Sequence, residues 1–160
     1  MTIHLNLGSN KGDRYAFIGQ AVALIINRLQ CSEQEVRVSQ PIETEAWGYS
    51  SANYFVNVGM MLTLQSHVDP FWLLENLKEI EKEIAPEEYH RDIDGKYSDR
   101  SIDIDIIAID DLIIDSEKLT VPHPYMHLRE FVLRPLCELD PKWYHPILGK
   151  TGEALLEAIS

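Results

Sequence analysis

Apolar and polar positions alternate from Thr2 to Gly8, with Ile3, Leu5 and Leu7 on one face, until Gly8-Ser9-Asn10 and then Gly12 break the pattern. This reads as a strand running into a turn. The period then becomes helical: Ile18, Ala21, Val22, Ile25, Ile26 and Leu29 follow Asp13, a residue suited to capping a helix N-terminus. Val36 and Val38 predict a second strand ending near Ser39. Gln40 to Asn53 shows no period and reads as a polar loop with an isolated Trp47. Loops of this length are usually functional lids or mobile segments, with a plain surface excursion as the alternative. Tyr54 to Leu64 is apolar enough for a central strand, interrupted by Asn57 and Gly59. A buried Asn there needs partners from the backbone or from a ligand.

Asp69-Pro70 supplies a cap and a first-turn proline for a second helix through Leu73, Leu74, Leu77, Ile80 and Ile84, and Pro86 follows its end. A second, charged loop spans 85–99. A strand follows it, short strands are expected near 112–120, a short helix over Phe131 to Leu136 and a last one over Thr151 to Ile159. The order β-α-β-β-α-β with extra C-terminal elements predicts an α+β sandwich, helices packed on a mostly antiparallel sheet.

The strand after the charged loop carries unusual chemistry. In Arg100-Ser101-Ile102-Asp103-Ile104-Asp105-Ile106-Ile107, alternation places Ser101, Asp103 and Asp105 on one face and Ile102, Ile104 and Ile106 on the other. Two carboxylates on neighbouring same-face positions repel each other and are poorly solvated, which calls for a compensating cation. Mg²⁺ suits carboxylate oxygens and commonly completes its shell with water and substrate phosphate. Alternatively this is an edge strand with one solvated polar face, since D-x-D alone is a weak motif.

Composition narrows the classes. A chain of 160 residues predicts one domain, long enough to bury about two-thirds of its unfolded surface without staples. Cys31 and Cys137 show no paired spacing, which fits free thiols in a reducing compartment. The N-terminus lacks the basic start and apolar core of a signal peptide, and no apolar run approaches membrane-spanning length, so a soluble, cytoplasmic protein with no membrane association is expected. A formal net charge of −12 argues against nucleic acid as a partner. A local cationic pocket remains compatible with His90, Arg91, Lys96, Arg100, Lys118, Arg129 and Arg134, as does a mixed solvated surface.

Four anchors in order resemble one family: Leu7-Gly8-Ser9-Asn10, Phe55-Val56-Asn57, Arg100 to Ile106 as above, and Val121-Pro122-His123-Pro124 continuing to Arg129-Glu130-Phe131-Val132-Leu133-Arg134-Pro135-Leu136. The chain resembles the 6-hydroxymethyl-7,8-dihydropterin pyrophosphokinases over nearly its whole length. The resemblance implies a ferredoxin-like βαββαβ sandwich, a single pyrophosphokinase domain over 1–160, and transfer of pyrophosphate from ATP to a pterin alcohol in folate biosynthesis, with AMP as the other product. It implies a monomer with small-molecule substrates and two Mg²⁺ ions held by Asp103 and Asp105, which together with Arg100 are the catalytic candidates. Glu81, Arg100, Ile106, Lys118, Thr120, His123 and Arg129 match nucleotide-binding positions. Thr44, Phe55, Asn57, Tyr97 and Phe131 match pterin-binding positions, with Phe55 and Phe131 sandwiching the ring and Asn57 reading its amide edge. Glu81 reads equally well as a solvated helix residue, and no side chain stands out as an obligatory general base.

Three positions depart from the family pattern. Ala85-Pro86-Glu87-Glu88 replaces a start rich in Gly and Arg, Tyr97 replaces a Trp, and Glu45 replaces a Pro. Losing lid cations matters because a charge contact in a water-excluded transition state is worth about 3 kcal/mol, unless His90, Arg91 or Lys96 substitutes. A non-catalytic or weakly active pterin- or nucleotide-binding homologue, and a related metal-dependent phosphoryl or nucleotidyl transferase, are therefore the alternatives.

Overall fold

The computed structural model describes residues 1–88 and 98–160. Its main sheet is entirely antiparallel. The central strands are β1 (Thr2–Ser9) and β4 (Phe55–Thr63), and β5 (Asp103–Ile109) pairs with the free side of β1. The far edge is made of two short pieces, β2 (Val36–Val38) and β3 (Ile42–Thr44), both paired with β4. The order β2/β3–β4–β1–β5 is the ferredoxin-like arrangement, so the expected fold class holds.

The stretch 40–53, read above as patternless, contains β3. A three-residue edge strand that begins just after Pro41 is too short to establish an alternation. β2 and β3 are one interrupted edge. Ser39 bridges the break, its N–H donating to the Gly59 carbonyl at 2.9 Å and its hydroxyl accepting from the Gly59 N–H at 2.8 Å.

Helices α1 (Arg14–Leu29) and α2 (Pro70–Ile84) start on the expected caps, Asp13 and Asp69, whose carboxylates accept from first-turn amides. They bury one sheet face around Ile3, Leu5, Leu7, Val58, Met60 and Ile104. Arg28 of α1 reaches Glu79 at 3.1 Å and Glu83 at 2.9 Å on α2. The hairpin β6 (Ile114–Asp115) and β7 (Thr120–Val121) occupies the predicted 112–120 region. Helices α3 (Glu130–Leu139) and α4 (Gly152–Ile159) then turn to the opposite face, where Ile107, Ala108, Val132, Leu133, Leu136 and Leu155 form a second core.

The second core depends on an irregularity in β5. Leu5 pairs with Ile106 and His4 with Ala108, so Ile107 is the extra residue of a β-bulge. The bulge sends Ile107 and Ala108 to the same face, under α3. Its carbonyl accepts from the His123 N–H at 2.8 Å, which pins the segment after β7 to the strand that carries the acids.

Candidate active site

Among the described residues, the face opposite α1 and α2 is only partly covered. Strand pairing lays two rows across it: Gly59–Asn6–Asp105, and one step further Asn57–Gly8–Asp103. The first row meets α3, since a Cβ on Gly59 would fall 2.8 Å from Pro135 Cβ. Among the described residues the second row is left uncovered and floors a cleft of about 520 Å³. Gly8, at its middle, leaves the space that a side chain would take between Asn57 and Asp103. Those two residues are two strand spacings apart, about 10 Å.

Phe131 stands at the rim for a reason written in α3. Pro135 has no N–H, so the Phe131 carbonyl four residues earlier loses its helical donor. Asn6 replaces it, its Nδ2 donating to that carbonyl at 2.9 Å. The same face ties down the other end of α3, where His4 Nε2 meets Asp140 at 3.0 Å and Arg37 donates to the Leu139 carbonyl at 2.8 Å.

Every site residue expected from the sequence and lying among the described residues borders this cleft. Thr44 comes from β3 rather than from a loop, and its hydroxyl is buried without a hydrogen-bond partner among the described residues. Phe55 and Asn57 come from β4, Asp103, Asp105 and Ile106 from β5, and Arg100 from just before it. Ile106 points its side chain into the α1–α2 core. Lys118 and Thr120 sit on the β6–β7 hairpin, and His123, Arg129 and Phe131 on the segment leading into α3. Tyr97 lies outside the described residues, as do His90, Arg91 and Lys96.

Glu81 is not a solvated helix residue. It reaches from α2 to accept from the Ile104 N–H at 2.8 Å, on the open edge of β5 between the two aspartates. Loss of solvation and the Asp103 charge raise its carboxyl well above the ordinary range, although the Ile104 amide and Arg100 pull the other way. Asp105 is raised too, by loss of solvation against the pull of Arg129 and Arg100; the Arg129 Nη1 is 4.0 Å from its carboxylate. Carboxylates that resist ionising together are what a bound cation would relieve. Among the described residues no cluster of three or more potential ligands is placed to enclose a metal.

Cationic and neutral donors face these acids. Arg129 is buried, with the Trp47 ring 4.3 Å and the Phe131 ring 5.5 Å from its guanidinium. His123 is held near a pKa of about 4 by burial and by Arg129. Its Nδ1 accepts from the Tyr125 N–H at 3.1 Å, so the neutral ring carries its proton on Nε2 and is a donor. Glu88, in the segment that departs from the family pattern, is buried and does not face the cleft. It accepts from the Ser101 N–H at 2.9 Å and lies 3.9 Å from Lys11 Nζ.

Sequence reasoning missed several lining residues. Lys78 was legible as the i−3 neighbour of Glu81 on one helix face, and Asn6 as a polar residue alternating with the Leu5 and Leu7 face. Trp47 stood out as the isolated aromatic of the first loop but without a partner to define its role, and Tyr49 and Tyr125 carried no local signal, because the partners of all three are distant in the chain.

Comparison with known proteins agrees with this geometry. Residues 4–141 match the family 7,8-dihydro-6-hydroxymethylpterin-pyrophosphokinase. The 2-amino-4-hydroxy-6-hydroxymethyldihydropteridine pyrophosphokinase of Aquifex aeolicus is 35% identical over 149 residues, covering 93% of this chain and 86% of that protein. The enzyme of the same name from Bacillus subtilis is 36% identical over 136 residues, or 85% and 76% of the two chains. The crystal structure of Plasmodium falciparum HPPK-DHPS with pteroate superposes with a TM-score of 0.67 at 16% identity. It covers 98% of this chain, which spans 42% of that one, and it speaks to fold alone. With a family match over most of its length and relatives above 30% identity, the chain belongs to the 7,8-dihydro-6-hydroxymethylpterin-pyrophosphokinase family, enzymes that transfer pyrophosphate from ATP to hydroxymethyldihydropterin in folate synthesis.

Proposed function

We propose that the bare row Asn57–Gly8–Asp103 is where the two substrates of this reaction meet, and that one domain over 1–160, acting as a cytoplasmic monomer, carries the whole activity. The register of that row is the observation that supports the reading most. It sets a side-chain amide able to read a heterocycle edge about 10 Å from a pair of acids suited to polyphosphate-bound metal. The pterin lies over Gly8 between Phe55 and Phe131, with Asn57 and Thr44 supplying directed polar contacts to an otherwise flat, apolar slot. Tyr97 is assigned to the same pocket on family resemblance.

ATP enters from the side of α2 and the β6–β7 hairpin, where Glu81, Ile106, Lys118 and Thr120 border the cleft. Arg100, His123 and Arg129 then donate to phosphate oxygens, and burial makes each donor worth more than it would be in water. Asp103 and Asp105 would hold two Mg²⁺ ions, which would supply charge neutralisation to the polyphosphate. The pterin hydroxyl oxygen attacks the β-phosphorus and gives up its proton to solvent, while the bond from that phosphorus to the bridging oxygen breaks and that oxygen leaves with AMP. The enclosing walls favour the pterin over water as acceptor.

Incubation with Mg²⁺, ATP and 6-hydroxymethyl-7,8-dihydropterin is expected to yield AMP and the pterin diphosphate in equal amounts. Asp103→Ala should lower turnover by at least about 100-fold with unchanged thermal stability. ADP as the nucleotide product, or near-normal turnover by the variant, would sink the assignment.

A further inference from the structure

One carboxylate outside the reacting groups ties the Glu45–Tyr54 loop to the mouth of the cleft. Asp99 Oδ1 accepts from Asn10 Nδ2 at 2.8 Å, from the Tyr49 hydroxyl at 3.0 Å and from Ser51 Oγ at 2.8 Å, while its Oδ2 accepts from Asn53 Nδ2 at 3.1 Å. Three of these donors belong to the loop, and the fourth to the turn after β1. Asn10 closes the circuit. Its Nδ2 also donates to the Tyr49 hydroxyl at 3.1 Å, and its Oδ1 accepts from the Arg100 N–H at 2.8 Å. Its own N–H donates to the Arg100 carbonyl at 3.0 Å.

The protonation states fit a permanent clasp. Partial desolvation of Asp99 is outweighed by the donors from Ser51, Asn10, Tyr49 and Asn53, which leave the carboxyl below its ordinary value and ionised. Burial first, and then the bond to Asp99, push the Tyr49 hydroxyl up to about 12, so it remains a donor. The loop itself contains no helix or strand. Side-chain bonds to Asp99 thus take the place that ladder hydrogen bonds hold elsewhere, in a segment that would otherwise open at low cost.

The loop's two ends are Thr44 of β3 and Phe55 of β4, both at the pterin side of the cleft. Its inner side lays Trp47 on the Arg129 guanidinium, with the Tyr125 ring 5.8 Å away. We propose that Asp99 is a positioning residue: by gathering donors from both sides of the cleft mouth it fixes the Glu45–Tyr54 loop, and with it Trp47, as the preformed outer wall of the acceptor subsite. The inference rests on the reading of that subsite as the pterin's. Asp99 touches no reacting atom and acts through the loop.

Hydrogen exchange on the substrate-free protein tests the clasp. In Asp99→Ala, peptides covering 45–54 are expected to exchange at least about tenfold faster, with β1 and β4 unchanged; Tyr49→Phe, which removes one donor, should move the same peptides less. In steady state, KM for the pterin is expected to rise about tenfold with kcat within about threefold, a split that simple loss of folded protein does not produce. The affinity losses of Asp99→Ala and Trp47→Ala should be far from additive in the double variant. Unchanged loop exchange, or additive losses, overturns the proposal. Failure of the unaltered protein to bind pterin would instead overturn the reading of the subsite, because the exchange measurement needs no substrate.

Discussion

Gly8→Ala is the sharpest probe of the cleft floor. A Cβ at this position would lie 2.6 Å from Asn57 Oδ1, 3.4 Å from Phe55 Cδ1 and 3.6 Å from Asn57 Cγ, so its three nearest neighbours all belong to the proposed pterin side. Carbon and oxygen settle at about 3.3–3.6 Å, which requires the amide to retreat by roughly 0.7–1 Å. The cost to folding is small. An off-rotamer side chain costs about 0.5–1.5 kcal/mol, and replacing Gly inside a strand returns about 0.5–1 kcal/mol. The cost to binding is larger, because Asn57 is 3% exposed and has little room to restore its contacts. A misplaced polar contact forfeits about 1–3 kcal/mol, or roughly 5- to 150-fold in affinity.

Titration of Gly8→Ala with the pterin, in the presence of a nonhydrolysable ATP analogue, should therefore show a loss of about 10- to 100-fold. The melting temperature should move by no more than about 3 °C. Unchanged pterin affinity would refute the placement of the ring over Gly8. A loss of binding matched by a large loss of stability would refute the claim that Asn57 yields more cheaply than the backbone.

Gly59→Ala makes the opposite prediction from the same sheet face, because its Cβ would meet Pro135 Cβ at 2.8 Å, Leu139 Cδ1 at 3.3 Å and the Pro135 carbonyl carbon at 3.5 Å, and the nearest of these belongs to a proline ring fixed to its helix rather than to the end of a flexible side chain. Urea denaturation should show a loss of about 1–3 kcal/mol, well beyond that of Gly8→Ala, and an unchanged midpoint would contradict the tight contact. His4 predicts a pH effect. Its burial lowers the imidazole pKa despite the hydrogen bond and charge of Asp140, so the unfolded chain binds the proton more readily. Stability is then fully present above the unfolded value of about 6.5 and falls as the pH drops from there toward the folded pKa. Comparison of urea midpoints at pH 7.5 and 5.5 should give a shallower fall in His4→Gln, by up to about 1.4 kcal/mol per pH unit; parallel curves for the two proteins would remove His4 from the linkage.

The parts of this fold legible in the sequence are those whose causes are local. Asp13 and Asp69 announce their helices because capping involves residues two or three positions away. The shared face of Asp103 and Asp105 follows from alternation alone, whereas Ser101, expected on the same face, precedes β5 and packs against Glu88 away from the cleft. β3 was hidden because its pairing partner, Asn57 to Phe55 on β4, supplies the order that three residues cannot encode. Glu81 was ambiguous for a similar reason: a helix surface does not reveal that the open edge of β5 runs beside it. Asp99 had no legible role, since its four donors come from Asn10, Tyr49, Ser51 and Asn53, all more than 40 positions away.

The position of the cleft follows from how α3 is made to stop. Gly59 lets Pro135 descend onto β4, and Pro135 in turn strips a donor from the Phe131 carbonyl. Asn6, in the same row as Gly59 and Asp105, supplies the missing donor and so fixes the first turn of α3 one row short of Asn57, Gly8 and Asp103. On the other side the Ile107 bulge holds His123 in place while turning Ile107 and Ala108 together into the core beneath α3, Ile109 returning to the α1–α2 side. Covering the Asn6 row with α3 and stopping that helix short of the Gly8 row is thus one arrangement. The contacts that stabilise the second core also set the distance at which Phe131, His123 and Arg129 face Asp103 and Asp105. A change in that packing should accordingly be felt first as a change in the width of the cleft, before it is felt as a loss of fold.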